Sequence, residues 1–334
     1  MTSLCIVITA AVSFAITAFA GGLLIPKLRK LKFGQSIRED GPTWHKAKQG
    51  TPTMGGLMFI IGILIAVLAG YLVLINIRPD ELDLPRTSRM FAGVVMALLF
   101  GLVGFGDDYI KVVKKRNLGL TAGQKMFFQI LITVLYLGFL YMAGDRSTSI
   151  RVPFLGTWEL GYFYYPIMGI LIVGIVNSVN LTDGIDGLCG SVTFVVALFF
   201  MGSAAVLNLM DLSILATALA GGCLGFLVYN MHPAKVFMGD TGSLFLGGMV
   251  VALGFSLQME FILFFTGFIY CLESLSDILQ VISYKTRHKR IFRMAPIHHH
   301  FEMGGMSENK IVLMFCGVTL AMSVWGFLAV LQLR

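Results

Sequence analysis

Gly104-Phe105-Gly106-Asp107-Asp108-Tyr109-Ile110-Lys111 stands at a border in the chain: residues 90–106 carry no charge, while Lys111, Lys114, Lys115 and Arg116 follow in quick succession. An uncharged apolar run of this kind suits a helix crossing the hydrocarbon layer, which takes about 20 residues. The carboxylates at its end are harder to place. Membrane-surface anchors are usually Lys, Arg, Trp or Tyr, and neighbouring carboxylates repel one another unless a cation relieves them. The stretch therefore points both to a membrane span and to a site at its end.

Composition extends the first reading to the whole chain. Of 334 residues, 57% are hydrophobic and 13% charged, against about 25% charged in an ordinary soluble domain. Apolar runs recur at about 3–24, 53–75, 90–106, 126–143, 163–179, 188–207, 212–229, 243–258, 261–283 and 311–332. The expectation is an all-α integral membrane protein of ten transmembrane helices, a single polytopic domain over 1–334. The first run has no basic region before it and no small-residue cleavage site after it, so it is expected to be a retained span. Cys5, Cys189, Cys223, Cys271 and Cys316 lie in or beside apolar runs without metal-ligand spacing and are expected to pack as small residues.

All Lys and Arg except Arg78, Arg86, Arg89, Arg146, Arg151 and Arg334 fall between spans 1 and 2, 3 and 4, 7 and 8, or 9 and 10. The positive-inside rule makes those links cytoplasmic and puts both termini outside. The same links hold all six histidines, and Asp107, Asp108, Asp183, Asp186 and Asp240 each lie near the end of a span. The active-site cleft is expected at the cytoplasmic face.

Five segments there differ from plain connectors. Lys46–Gly56 joins lysines, Thr51, Thr53 and glycines, a mixture that serves equally as a snorkelling anchor or as a phosphate cradle. The acidic pair is the second. The third, Asn177–Gly187, sets Asn177, Asn180, Asp183 and Asp186 among glycines; this is turn chemistry, yet rich in the oxygens that hard cations and ribose hydroxyls favour. Asn230–Ser243 adds Asp240 between glycines and Phe237, which is either an interfacial anchor or a stacking surface for a base. In the fifth, His298-His299-His300 cannot share one helix face, so a zinc site from these three alone is disfavoured, whereas one or two can reach a phosphate. Glu273, Asp277, Gln280 and Tyr284 make a polar stripe on span 9 that should face protein or a water-filled cleft. Carboxylates for Mg²⁺, with Lys and His for phosphate charge at membrane level, suit phosphoryl transfer between a soluble donor and a lipid acceptor. No P-loop, dinucleotide-binding glycine pattern or nucleophile elbow competes.

Gly50-Thr-Pro-Thr-Met-Gly-Gly56, Phe105-Gly-Asp-Asp-Tyr-Ile-Lys111, Asn180-Leu-Thr-Asp-Gly-Ile-Asp-Gly187, Phe237-Met-Gly-Asp-Thr-Gly-Ser243 and Met294-Ala-Pro-Ile-His-His-His-Phe-Glu302 resemble the motifs of the phospho-N-acetylmuramoyl-pentapeptide transferases. These belong to the polyprenyl-phosphate N-acetylhexosamine-1-phosphate transferase superfamily. The resemblance covers almost the whole chain, and the histidine block points to this branch. It implies a homodimer in the bacterial cytoplasmic (inner) membrane, with a bent ninth helix beside a lipid groove. The implied reaction is that of UDP-MurNAc-pentapeptide with undecaprenyl phosphate to give lipid I and UMP, with Mg²⁺ and without nucleic acid. Asp240 would ligand the metal, Asp107 would orient or deprotonate the prenyl phosphate with Asp108 beside it, and His299 would join them as a catalytic group. Lys48, Asn177, Asn180, Asp183, Asp186 and Phe237 would hold the nucleotide and its phosphates, with Thr53, Lys125, Asn230, Gln280 and His298 lining the cleft. Cys189 stands where the resemblance implies a small residue such as Ala, and Cys is small enough.

Three other readings remain at this stage. A sibling sugar-phosphate transferase shares the acidic pair. An intramembrane aspartyl protease also uses Gly-Asp elements but needs its dyad within the bilayer. A transporter would draw on Glu273 and Asp277, yet predicts charges along both leaflets.

Overall fold

The apolar runs fold as helices because a backbone in lipid must satisfy its polar groups internally. A computed structural model describes residues 2–31, 48, 50–77, 79, 83–113 and 119–333. Its helices are α1 (Thr2–Lys30), α2 (Gly56–Ile77), α3 (Leu84–Val113), α4 (Ala122–Met142), α5 (Tyr164–Thr182), α6 (Leu188–Leu207), α7 (Met210–Asn230), α8 (Gly239–Leu257), α9 (Leu263–Thr266), α10 (Phe268–Arg287), α11 (Ile297–Glu302) and α12 (Glu308–Leu331). Among the described residues nine helices are long and apolar enough to cross a membrane. The segment Glu260–Thr266 with Phe268–Arg287, bent by 80°, makes a tenth if it is one span. Lys32, Arg38, His45, Lys46, Arg78, Lys114, Lys115, Arg116 and Arg334, which entered the orientation argument, lie outside the described residues.

α8 is the axis of the fold. It is buried on every face from Thr241 to Phe255, as befits a helix apolar all round. Small residues let its neighbours approach: Gly247 lies on the Val176 backbone of α5, Gly248 on Ala97 of α3, and Gly93 of α3 on Ala252. Lipid offers no hydrophobic drive between helices, so close backbone packing of this kind carries the association. The nearest approach is at Gly104, where a β-carbon would collide with the Asp240 carbonyl. This contact brings the end of α3 beside the start of α8.

Two features depart from the expected spans. α3 does not end at residue 106 but runs on to Val113, through the acidic pair. The span reading stopped at the first charges, whereas these carboxylates are buried against neighbouring elements and the helix continues past them. The link between α4 and α5, which the span reading leaves without secondary structure, holds an antiparallel hairpin of β1 (Ser149–Val152) and β2 (Gly156–Glu159), with Ile150 opposite Trp158. The break before α10 falls at Gly267, which packs against the Leu263 carbonyl, a usual place for a sharp kink.

Candidate active site

The first turn of α8 has backbone N–H groups without intrahelical partners, and a carboxylate from another helix meets them. Oδ2 of Asp108 accepts the Thr241 N–H at 2.9 Å and the Thr241 hydroxyl at 2.7 Å, and Oδ1 accepts the Asp240 N–H at 3.3 Å. Gly239 has a φ of +68°, and a side chain there would strike both Asp108 and Thr53 Oγ1. Asp108 thus pins α8 to α3 and sets the position of Asp240.

Asp107, one residue earlier, is fully buried. Its Oδ1 accepts the Leu120 N–H at 2.7 Å, and its Oδ2 lies against the ammonium groups of Lys111 and, at 3.1 Å, Lys125. The same two lysines reach Asp240 Oδ2, at 3.1 Å and 2.6 Å, while Asp240 Oδ1 accepts from Asn180 Nδ2 at 3.0 Å. Lys125 is delivered by the first turn of α4, which Thr121 and Gln124 close with a reciprocal capping box. Oxygens of Asp107, Asp108 and Asp240 come within 4.8 Å of one another. Hard, converging carboxylate oxygens fit a divalent cation of the Mg²⁺ type, and the lysines supply positive charge at the same place.

The 180–187 segment connects this cluster to two more. Asn180 bonds Asp240 and Ser243 Oγ. Asp183 ends α5, and burial pushes its carboxyl up to about 8; the charges of Asp240, Asp108 and Asp186 add to the rise and Lys48 opposes it. Gly184 packs on the His298 ring. Asp186 accepts Lys48 Nζ at 2.8 Å and the Ala234 N–H at 3.0 Å, and its Oδ2 lies 2.9 Å from His232 Nδ1. Glu308 at the start of α12 closes this second cluster, taking Lys48 Nζ at 2.7 Å and the Asp186 N–H at 2.8 Å. Gly187 N–H donates to Asn230 Oδ1, and Asn230 Nδ2 donates to the Val236 carbonyl, so Asn230 ties two loops together.

The three consecutive histidines have three different Nδ1 partners: Glu273 for His298, Glu302 for His299, and the Arg293 N–H for His300. Gln280 is engaged with the backbone of Ile291 and Phe292, which shapes the approach to the histidines. Phe237 is half-buried, its backbone bonded to Pro52 and Gly55. Asn177 lies apart from the carboxylates. It exchanges hydrogen bonds with Gln129 of α4 and lines an apolar groove of about 940 Å³ between α4, α5 and α10. Ile130, Val134, Leu137, Ile170 and Val173 form its walls, with Asp277 at the α10 side. Several of these are among the most exposed apolar residues, Ile170 at 75% and Val134 at 60%, so the groove opens outward from the helix bundle.

Sequence reasoning passed over Lys111, His232 and Glu308 as site residues. Lys111 carried a signal, since it lies three and four residues after the acidic pair and shares its helix face once α3 is known to continue. His232 and Glu308 carried none, for their partners are distant in sequence.

A bundle of membrane-length apolar helices that holds clustered carboxylates and lysines and, between α4, α5 and α10, an apolar groove defines a class, the polytopic membrane transferases, and residues 90–258 match Glycosyl transferase family 4. Residues 48–60 match the phospho-N-acetylmuramoyl-pentapeptide-transferase signature 1. Proteins of that name are 47% identical in Heliobacterium modesticaldum, with 97% of each chain covered, 45% in Desulfitobacterium hafniense, with 97% of each chain, and 44% in Bacillus subtilis, with 96% of each chain. The chain belongs to the phospho-N-acetylmuramoyl-pentapeptide-transferase family.

Proposed function

We propose that this chain transfers phospho-MurNAc-pentapeptide from UDP-MurNAc-pentapeptide to undecaprenyl phosphate, giving lipid I and UMP, with Mg²⁺ as its cofactor. The single observation that carries this is the meeting of Asp107, Asp240, Lys111 and Lys125; the apolar groove between α4, α5 and α10 suits a prenyl chain. Phosphoryl transfer asks mainly for alignment and charge neutralisation. Lys111 and Lys125 attract the phosphates, Asp107 and Asp240 hold those lysines in place, and Asp108 fixes Asp240 through the α8 N-terminus. Asp107, Asp108 and Asp240 would hold Mg²⁺, which supplies charge neutralisation at the phosphoryl oxygens. Lys48, Asn180, Asp183, Asp186 and Phe237 then form the nucleotide side, and Thr53, Asn230, Gln280 and His298 line the cleft around it. His299 acts from the histidine block. Asn177 marks the groove side.

The acceptor phosphate is itself a charged oxygen nucleophile, so direct attack on the β-phosphorus suffices; the P–O bond to UMP breaks as the new one forms. The reading includes a single polytopic domain working as a homodimer in the bacterial cytoplasmic membrane. Both termini are outside and the cleft is on the cytoplasmic face, where the positive-inside distribution of Lys and Arg supports it. A transporter finds less support, because Glu273 is buried in a pair with His298.

Purified protein given both substrates is expected to release UMP with Mg²⁺ and to stop when a chelator is added, recovering on re-addition. Release without any divalent ion would overturn the cofactor assignment, and release from UDP-GlcNAc instead would move the chain's substrate to the sibling type. The groove has its own test. Gly174 lines it, with open space where a β-carbon would stand, so Gly174→Phe fills the groove without disturbing the helix packing. The KM for the prenyl phosphate is expected to rise about tenfold or more, the loss of some 1.4 kcal/mol of apolar contact, with nucleotide binding by calorimetry unchanged. An unchanged KM for the lipid would remove the groove from the reaction.

A further inference from the structure

Two carboxylate–imidazole pairs lie side by side next to the 180–187 segment. Glu273 and His298 are both fully buried, with His298 Nδ1 3.0 Å from Glu273 Oε2. His299 pairs with Glu302 at 2.9 Å, and the two rings lie with centroids 4.1 Å apart. The other oxygen of Glu273 and the other nitrogen of His298, Nε2, have no hydrogen-bond partner among the described residues. Glu273 therefore makes no side-chain hydrogen bond but the one to the imidazole. Nε2 points at Gly184, where a β-carbon would collide with the ring.

An ionisable side chain inside an apolar helix is costly and is retained where it serves function. A carboxylate on one ring nitrogen of a histidine fixes its tautomer and orientation and raises the basicity of the other. We infer that Glu273 is a positioning residue of the transfer reaction, holding His298 by its Nδ1–H so that the buried ring packs on Gly184 and fixes the 180–187 segment, which carries Asn180, Asp183 and Asp186. Glu273 itself touches no substrate. Gly184 is part of the arrangement, since any side chain there would separate the ring from the segment.

The inference rests on the proposed reaction, and its test separates the two. Glu273→Gln is expected to lower kcat/KM for UDP-MurNAc-pentapeptide by about 10–100-fold, the usual loss when a histidine's supporting carboxylate is removed. His298→Gln is expected to lower it at least as far, and the double variant to be no worse than His298→Gln alone. Losses that multiply in the double variant would mean that Glu273 acts on the fold and not through the ring, and an unchanged rate in Glu273→Gln would also overturn the inference. A second measurement needs no altered glutamate. In ¹⁵N-histidine spectra of the wild-type protein, the resonance missing from His298→Gln is expected to report a protonated Nδ1, and a bare Nδ1 would sink the assignment. Absence of UMP release by the wild type would count against the reaction alone, leaving the spectrum to judge Glu273.

Discussion

Asp240→Asn is expected to cut the rate of UMP release at saturating substrates by about 10²–10³-fold, the scale seen when one preorganised electrostatic contact is removed from an active site. The carboxylate has three partners: Asn180 on one oxygen, Lys111 and Lys125 on the other. An Asn whose oxygen keeps the Asn180 bond must turn its amide N–H groups toward two ammonium ions. The lysines then lose half of what holds them, retaining Asp107, and a cation loses a charged ligand. The fold should persist, because α8 is pinned through Asp108 and the backbone of residues 240 and 241, which this change leaves alone. Turnover measured beside thermal unfolding in detergent decides it. A rate within tenfold of the wild type would take Asp240 out of the centre of the site.

The second large effect comes from a residue without a side chain. Ala is the better helix former by about 0.8–1.0 kcal/mol, so Gly104→Ala would stabilise α3 if nothing else intervened. Its β-carbon, however, would occupy the space of the Asp240 carbonyl and crowd the Thr241 nitrogen. Backbone cannot rotate away as a side chain can, so α3 and α8 must separate. Overpacking of this kind costs about 1–3 kcal/mol, and a shift of about 1 Å between the carboxylates of the two helices can cost about 10²-fold in rate. Both the unfolding temperature and UMP release are expected to fall. A variant with wild-type activity would show that the close crossing does not set the site.

How much of this was legible in the sequence varies by element. The spans were, because apolar length is a local property, and the resemblance implied a bent ninth helix where Glu260–Thr266 and Phe268–Arg287 meet at 80°. The end of α3 was not. Charge reads as the edge of the membrane, yet Asp107 and Asp108 are buried, satisfied by Leu120, Thr241 and the lysines, and the helix runs on to carry Lys111 to the same face. The motifs named the carboxylates, but motifs do not show who pairs with whom. Asp108 as the cap of α8, Glu308 closing the Lys48–Asp186 cluster and Glu273 behind His298 are contacts between distant parts of the chain, and only packing reveals them. Asn177 illustrates the converse: it shares a motif with Asn180 yet sits about one turn earlier on α5, where its partner is Gln129 of α4 and not Asp240.

The outward-facing groove between α4, α5 and α10 has a kinetic consequence. Under the proposed reaction, an acceptor entering from the flank keeps its tail in the bilayer and never becomes a solute in water. How often the site is visited is then set by the mole fraction of prenyl phosphate among the surrounding lipids. Diluting the same protein and substrate with inert lipid should slow turnover at constant bulk concentration, while the nucleotide side continues to obey ordinary molarity.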